Sequence, residues 1–330
     1  MDKDLIQLTD KGLYCAEGDF FVDPWRPTPS AFITHVHGDH AHSGHEIYYC
    51  SEESAPLLKH RIPDAKEIKP IKYSEKLKIG NCWVSFHPAG HILGSSQIRV
   101  EYKNSVWVVS GDYKRTPDPS CKKFEVIECD TFITESTFGL PIYHWPDTEV
   151  TAREILEWVN QHEGPSILFC YSLGKAQRVL AELAKISNET VYLHGATMGL
   201  TQIYRDLGIK MVPTTSYLDL TQKDQKCLIL APPSAHRSPW MKRFKNFQTG
   251  FASGWMAIRG NKRRRNVEKG FILSDHADWN ELIQTITETK AKRVLVTHGF
   301  SDILAQYLTE NMGLQGETLQ TQFEGETASE

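Results

Sequence analysis

Four side chains that can bind a metal ion fall within six residues, directly after a short apolar run. The run AFIT is followed at once by HVHGDH, whose polar ligands are His35, His37, Asp39 and His40. On an extended backbone alternate side chains point to the same side, so His35 and His37 can converge on one ion. The glycine that follows permits a turn, which brings Asp39 and His40 to a neighbouring position.

Imidazole and carboxylate groups are the ligands that Zn²⁺ and similar borderline metals prefer, and four of them in six residues indicate room for two ions. The alternative is a solvated polar loop without a metal. Six of the 14 histidines lie between residues 35 and 60. Three of these, His42, His45 and His60, lack the alternating spacing, and we interpret them as surface residues.

Two further polar residues follow predicted strands and are preceded by glycine. His91 lies in PAGHILGS after the run CWVSF, and Asp112 lies in SGDY after the run VWVVS. A glycine at that position lets backbone pack closely beneath the polar residue. Either residue alone would more often be structural, but the upstream cluster makes both credible metal ligands.

Short apolar runs between Gly, Pro, Asn and Asp predict strands at 31–34, 82–86, 106–110, 131–134, 166–170, 190–193, 227–231, 270–273 and 293–297. Helical periodicity predicts helices at 151–162, 174–186, 278–289 and 301–312, the third of them with Asp278 as a possible N-cap. The first 146 residues are therefore expected to be mainly β, and residues 147–266 to form a parallel α/β unit. The polar tail from Gln315 is expected to be loosely held.

Positive charge is concentrated in one segment of an acidic chain. The net charge is −4, yet residues 225–267 carry ten Lys or Arg and no Asp or Glu. Removing these ten from the 37 basic residues leaves 27 against 41 acidic residues in the rest of the chain. The segment therefore predicts a cationic surface suited to a polyanion, with a plain solvated face as the alternative.

Composition favours a water-soluble protein of a reducing compartment. A mean hydropathy of −0.41 and a start without an apolar signal core argue against a membrane partner and against export. The seven cysteines contain no CxxC pair and are odd in number. Free, mostly buried thiols and a cytoplasmic location are expected.

The ordered motifs HVHGDH, AGHILGS and SGDY resemble those of the metallo-β-lactamase superfamily. Three later motifs are similar to those of its β-CASP nuclease branch: Thr134-Glu135-Ser136-Thr137, Ser274-Asp275-His276-Ala277-Asp278 and Thr297-His298-Gly299. The combination FASGWMAIRGNKRRR followed by LSDHADW most resembles the bacterial DNA ligase-associated exonucleases. The branch also contains Artemis-like DNA repair nucleases and mRNA 3′-end processing endonucleases.

This resemblance implies the α/β fold class: an αββα metallo-β-lactamase sandwich with an inserted α/β β-CASP cap domain. The expected domains are 1–146 and 267–330 for the two parts of the metallo-β-lactamase domain, and 147–266 for the cap.

The resemblance also implies two divalent metal ions, zinc with manganese as the alternative. One ion would be bound by His35, His37 and His91, and the other by Asp39, His40 and His298, with Asp112 bridging both. Asp39 and Asp112 would therefore belong to the catalytic set. Two such cations can lower the pKa of a bridging water toward about 7 and clamp the attacking and leaving oxygens of a phosphodiester.

Three more residues carry implied catalytic roles. Asp23, in FVDP, would orient the metal ligands. His276 would protonate the leaving oxygen, and Glu135 would hold the imidazole of His276 and stabilise its charged form. The alternatives are an ordinary turn carboxylate for Asp23, a turn cap for Glu135 and a structural histidine for His276.

Nucleic-acid contacts are expected in the cap. The candidates are Ser172 and Lys175 of a cap motif, for which a plain helix start is the alternative, and the basic residues Lys242, Arg243, Arg259, Lys262, Arg263, Arg264 and Arg265. Cations neutralise backbone phosphates, and the interleaved aromatic residues Phe244, Phe247, Phe251 and Trp255 can stack on bases, although each of them fits a core position better.

The sequence thus predicts a metal-dependent DNA nuclease, an exonuclease acting at ends or on single strands in repair, with a DNA ligase and a helicase as partners. An RNA nuclease of the same branch is the alternative, because His298 resembles the RNA-processing members at the final motif. A non-catalytic nucleic-acid-binding subunit would typically have lost ligands. A small-molecule hydrolase would need neither the cap nor the basic segment.

Overall fold

The structure is a computed structural model that describes residues 4–323, and the chain divides into two compact units. Among these residues the first unit comprises 4–117, 121–143 and 276–323, and the second comprises 118–120 and 144–275. None of the helices in this described part has the length and apolar character needed to cross a bilayer.

Two sheets form the centre of the first unit. The first has six strands in chain order: β1 (Ile6–Leu8), β2 (Leu13–Cys15), β3 (Phe20–Val22), β4 (Ser30–Phe32), β5 (Ile47–Ser51) and β6 (Glu67–Ile71). The second has the order β19-β18-β11-β10-β9-β8-β7, made of β7 (Leu77–Ile79), β8 (Cys82–Pro88), β9 (Ser96–Tyr102), β10 (Ser105–Val109), β11 (Thr131–Ser136), β18 (Arg293–Gly299) and β19 (Gln315–Thr318). Strands β10, β11, β18 and β19 are parallel neighbours.

Alternating side chains of the second sheet build two separate cores. Val109 and Ile133 face the first sheet and pack with Phe32. Their neighbours Val108 and Phe132 face the other way, against helices α6 (Trp279–Glu288) and α7 (Ser301–Met312). Because strand side chains alternate between faces, one apolar run can fill both layers. The remaining helix of this unit, α1 (Ala55–Arg61), packs against β6.

The second unit is a parallel sheet with helices. Its strand order is β14-β13-β15-β12-β16-β17, and every pairing is parallel. The strands are β12 (Pro165–Phe169), β13 (Val191–Leu193), β14 (Thr214–Ser216), β15 (Cys227–Ala231), β16 (Gln248–Ala252) and β17 (Lys269–Phe271). The helices are α2 (Thr148–Asn160), α3 (Lys175–Leu183), α4 (Gly195–Asp206) and α5 (Arg259–Arg265), with short 3₁₀ turns at Tyr217–Asp219, Pro233–Ala235, Pro239–Arg243 and Gly254–Ala257.

This architecture confirms the expected fold class of a sandwich with an inserted parallel α/β unit. The observed boundaries differ from the expected ones, because the second unit begins at 144 and runs to 275. Strand β17 explains the later end: Gly250 of β16 pairs with Lys269, so the chain belongs to the second sheet beyond residue 266. Residues 118–120 also belong to the second unit.

The helix predictions were accurate where the periodicity was strong. Helix α7 has the expected bounds, and Asp278 caps α6 by accepting a hydrogen bond from the backbone N–H of Glu281 at 2.9 Å. Helices α1, α4 and α5 were missed, because α1 and α5 have only seven residues each and α4 is polar along much of its length. All seven cysteines are free and six are buried, as expected.

The expectation of a loosely held tail was wrong for residues 315–323. Residues Gln315–Thr318 form strand β19, which pairs in parallel with β18, and Leu319 donates its backbone N–H to the carbonyl of Val296 at 2.8 Å. An edge strand is paired on one side only and can consist of polar residues. A search for apolar runs therefore does not detect such a strand. The rest of that tail lies outside the described residues.

Helix α7 offers a matched test of the outer core. Leu304 is fully buried, whereas its neighbour Ile303 is 46% exposed. We expect Leu304→Ala to lower the free energy of unfolding by about 2–5 kcal/mol, because it removes buried methyl groups and leaves a cavity. Ile303→Ala should change it far less in the same denaturant titration. Equal effects of the two variants would contradict the packing of α7 described here.

Candidate metal centre and adjoining acid–base pair

The ends of neighbouring strands bring the predicted ligands to one edge of the second sheet. Asp112 follows β10, Glu135 lies near the end of β11, and His298 lies near the end of β18. These three strands are parallel and adjacent, so their carboxyl ends meet. His91 follows β8 of the same sheet, and the run from His35 to His40 follows β4 of the facing sheet.

The predicted ligands form two groups that share one carboxylate. The first group is His35, His37, His91 and Asp112, and the second is His40, Asp112 and His298; in each, one ligand atom per residue lies within 4.8 Å of the others. Asp39 adjoins the second group, with Oδ2 3.6 Å from Nε2 of His40 and 4.0 Å from Nε2 of His298. The structure therefore brings together all seven residues predicted as metal ligands.

The two oxygens of Asp112 face different groups. Oδ2 lies 3.4 Å from Nε2 of His35 and 3.8 Å from Nε2 of His91. Oδ1 lies 3.7 Å from Nε2 of His40 and 3.2 Å from Nδ1 of His298. A side chain with this arrangement can contribute one oxygen to each of two ions.

Unsatisfied buried atoms indicate that the site fits metal ions. Nε2 of His35, Nε2 of His40, Oδ1 of Asp112 and Nε2 of His298 are buried and have no hydrogen-bond partner within residues 4–323. Buried polar atoms are normally hydrogen-bonded, so a cluster of such atoms in one place requires an explanation. Imidazole nitrogens and carboxylate oxygens form the donor set of zinc and related divalent metals.

The electrostatics of the site suit a cation. Burial, together with the neighbouring His40, lowers the pKa of His35 well below its usual range, so this ring is neutral and keeps a lone pair for a metal. Burial opposes ionisation of Asp112, but the histidines around it, led by His298, hold its pKa well below the usual range. Burial also opposes charge on His40, yet the carboxylates of Asp39, Asp112 and Asp23 raise its pKa to about 10.

Asp23 orients the second group from behind. It accepts hydrogen bonds from the backbone N–H of Thr34 at 2.8 Å and from the Thr34 hydroxyl at 2.5 Å. Its other contact is with Nδ1 of His40 at 2.7 Å, which directs Nε2 of that ring into the site. Hydrogen bonds of this kind fix the tautomer and the orientation of a metal-binding histidine. Thr34 was not predicted, although it lies directly before the histidine motif.

Two glycines permit the backbone beneath His91 and Asp112. Gly90 has φ +74°, and a Cβ there would lie 2.2 Å from the carbonyl oxygen of Lys114. Gly111 has φ +57°, and its Cβ would lie 2.7 Å from the side chain of Thr34. Close packing under both candidate ligands was expected from the sequence, and the structure contains it.

Glu135 and His276 form a buried pair beside Asp112. Oε2 of Glu135 lies 2.8 Å from Nδ1 of His276, and its Oε1 accepts the backbone N–H of Tyr113 at 2.7 Å. Nδ1 of His276 is 3.9 Å from Oδ2 of Asp112. The three side chains are also spaced closely enough to hold a metal themselves. In either role, Glu135 fixes the ring of His276 from one side.

The candidate nucleic-acid residues differ in exposure. Lys242, Arg243, Arg259, Arg263 and Arg264 are exposed, and Ser172, Lys262 and Arg265 are partly buried. The guanidinium of Arg265 lies 4.4 Å from the ring centre of Phe251. Phe251 and Phe244 are buried in the core of the second unit, as their interpretation as core residues required. The exposed and partly buried cations all belong to the second unit and stay candidate phosphate contacts.

Lys175 does not fit its predicted role as a phosphate contact. It is fully buried in the second unit, and its Nζ lies 2.9 Å from Oδ2 of Asp275. The guanidinium of Arg178, one turn further along α3, lies 3.1 Å from the other oxygen of Asp275 and 3.1 Å from Asp118. Lys175 therefore belongs to a buried ionic cluster, which was not predictable from the local sequence because Asp118 and Asp275 lie about 60 and 100 residues away.

His45 is a second correction, because the sequence placed it on the surface. It is 1% exposed, and its Nδ1 accepts the backbone N–H of Thr28 at 3.2 Å. Burial lowers its pKa to about 4, so it is a neutral structural residue. His60 is exposed, as expected.

Comparisons with known proteins identify relatives of this chain. The chain is 33% identical over 306 residues to a "Probable DNA ligase" of Opitutus terrae, covering 91% of this chain and 30% of that protein. It is 30% identical over 291 residues to "RNase aCSPSF2" of Saccharolobus solfataricus, covering 74% of this chain and 58% of that protein. The chain thus spans less than two thirds of either relative. No family model matches.

A solved structure supports the fold alone. The crystal structure of a protein of unknown function from Enterococcus faecalis V583 has a TM-score of 0.56 and 13% identity, covering 88% of this chain and 78% of that one.

The paired sheets and the histidine- and aspartate-rich edge define a metallo-β-lactamase fold. Within that superfamily the chain belongs to the β-CASP nuclease branch.

The buried ionic cluster of the second unit can be tested through stability. We expect Asp275→Ala to lower the free energy of unfolding by about 3–5 kcal/mol, because it removes the carboxylate that compensates two buried cations. The control is Glu128→Ala, which breaks an exposed pair with Lys290 and should leave stability nearly unchanged. Similar denaturant midpoints for the two variants would show that the cluster contributes no special stability.

Proposed function

We propose that the protein is a metal-dependent nuclease that hydrolyses phosphodiester bonds in DNA, as an exonuclease acting at ends or on single strands during repair. The observation that carries this proposal is the Asp112 carboxylate facing two ligand groups, with the Glu135–His276 pair directly beside it. A phosphodiester is an anion, which suits a site built around cations.

Each group of residues has a distinct task in this proposal. His35, His37 and His91 would hold one ion, Asp39, His40 and His298 would hold the other, and Asp112 would contribute to both groups. When bound, two such ions supply an activated water and electrostatic stabilisation of the attacking and leaving oxygens.

Proton delivery falls to His276. Glu135 accepts from Nδ1 of the ring, which stabilises the charged imidazole and leaves the opposite nitrogen as the proton donor. A leaving alkoxide needs a proton, and imidazole is suited to donate it near neutral pH. Asp23 positions His40 and does not itself contact the phosphodiester in this proposal.

The preference for DNA rests on the relative named as a probable DNA ligase. In that protein, a region similar to this chain is part of a longer polypeptide. This arrangement supports a DNA ligase as a functional partner of this chain. A nuclease that trims ends would supply the substrate for joining. A helicase partner and a cytoplasmic location stay predictions.

RNA is the second candidate substrate. Several relatives are named as ribonucleases, among them an "RNase J-like protein" of Methanocaldococcus jannaschii, 25% identical over 231 residues. His298 at the final motif also resembles the RNA-processing members of the branch. The metal site recognises phosphodiester chemistry, which DNA and RNA share.

One assay distinguishes these substrates. The purified protein is incubated with end-labelled single-stranded DNA, duplex DNA and RNA of one sequence, with Mn²⁺ or Zn²⁺ and without metal. Metal-dependent shortening of DNA with little cleavage of RNA is the expected result. Preferential RNA cleavage would favour the second candidate, and cleavage of neither polymer would overturn the nuclease proposal.

Two substitutions separate metal binding from proton delivery. We expect His276→Ala to reduce the turnover rate by about 10²–10⁴-fold with unchanged metal content, because it removes a proton donor. Asp112→Ala should abolish activity and also lower the amount of bound metal. Turnover and metal content are measured on the same preparations, and loss of metal from His276→Ala would assign this residue to the ligands instead.

The basic segment can be tested by salt dependence. Replacing Arg263, Arg264 and Arg265 together by Gln should weaken nucleic-acid binding and reduce the slope of log affinity against log salt by roughly 2–3, if each contacts a phosphate. The control replaces three exposed lysines of the first unit, Lys72, Lys76 and Lys78, by Gln. Both variants lose three positive charges, so equal changes in slope would contradict a localised contact.

A further inference from the structure

The chain beyond β19 runs along the strand that carries His298. Leu319 donates its backbone N–H to the carbonyl of Val296 at 2.8 Å, and the hydroxyls of Thr321 and Thr297 lie 2.6 Å apart. These contacts fix the course of residues 319–323, which we name the C-terminal strap. The strap reaches the metal centre at Phe323.

Phe323 lies flat against one of the candidate ligands. Its ring is stacked on the imidazole of His40, with centroids 4.4 Å apart and planes inclined by 13°. The centroid of the His298 ring is 6.2 Å away, and the ring of Trp25 is nearly perpendicular to that of Phe323, with centroids 5.8 Å apart. Phe323 also lines the cavity that contains Asp112, so it forms a wall of the second ligand group.

Two contacts of different kinds therefore hold the His40 ring. Asp23 contacts Nδ1 in the plane of the ring, which directs Nε2 toward Asp112 and Asp39. Phe323 covers a face of the same ring, which opposes tilting and keeps water from that face. Apolar groups around a metal site control solvent access as well as ligand orientation.

We propose that Phe323 is a positioning residue for the second ligand group, and that the C-terminal strap thereby slows the release of the ion held by His40, Asp39 and His298. The inference rests on the two-ion site of the proposed function and is independent of the nucleic acid cleaved. An ion leaves when its ligands rotate away and water replaces them, and a stacked aromatic ring hinders both events. The ring contacts of the strap are with His40 and His298, and both of these residues belong to the second ligand group.

The experiment measures metal release from the whole protein, without any nuclease substrate. Protein loaded with Zn²⁺ is mixed with excess chelator, and the release of each ion is followed with a chromogenic zinc indicator. The wild-type chain should release two ions per molecule. Phe323→Ala should accelerate the release of one ion by about tenfold and leave the other unchanged, the effect typical of removing a group that supports a metal ligand.

Three further variants test the cause. Phe323→Tyr retains the ring and should release both ions at nearly the wild-type rates, whereas Phe323→Leu retains apolar bulk without the ring and should give an intermediate acceleration. Gln322→Ala changes the exposed neighbour in the strap and should have no effect. Thermal unfolding of each variant establishes that its fold is intact, and Phe323→Leu provides the milder change if Phe323→Ala does not fold.

The outcomes separate this inference from the proposed function. Wild-type release rates for both ions in Phe323→Ala, or equal acceleration of both ions in a folded variant, would overturn the role of Phe323. A wild-type protein that binds fewer than two ions would overturn the two-ion site itself. Selective acceleration of one ion, rescued by Phe323→Tyr, is the result that supports the inference.

Discussion

The organisation of the metal centre depends on one buried carboxylate, that of Asp112. At least three histidine rings surround this carboxylate. They stabilise its negative charge, which burial alone opposes. The negative charge of the carboxylate in turn attracts these rings, so they can lie within a few ångströms of one another although not every ring donates a hydrogen bond to it. The strand edge, the turn at Gly111 and the ring orientation set by Asp23 all serve to place imidazoles around this one anion.

The sequence predicted which candidate ligands come together, because they are arranged locally or at strand ends. The spacing of His35 and His37 follows from extended backbone, and Asp112 and His298 each follow or end an apolar run. Apolar runs predict strands, and adjacent parallel strands end at one edge, so these distant segments converge. The pairing of Glu135 with His276 was less predictable from residue patterns alone, and its expectation came from resemblance to a family.

The parts that the sequence did not predict depend on contacts between distant segments. Lys175 reads as a surface cation beside a glycine turn, and only the fold brings the Asp275 carboxylate to it. Strand β19 is polar. As an edge strand it is held mainly by backbone pairing with β18, so it does not require an apolar face. Phe323 stands in a polar tail with no periodicity around it. In each of these cases the structural role is determined by a partner distant in the sequence and not by the local residue pattern.

Two residues of the site have an unusual backbone conformation that local hydrogen bonds stabilise. Asp23 and His298 both have positive φ, at 42° and 66°, which costs a residue other than glycine of order 1–3 kcal/mol. Hydrogen bonds offset this cost: Thr34 donates twice to Asp23, and the hydroxyl of Ser136 donates to the carbonyl of His298. These local hydrogen bonds come from the chain itself and hold Asp23 and His298 in place. In the proposed two-ion site, support of the ligands in this way, including that by Phe323, would determine how long an ion stays.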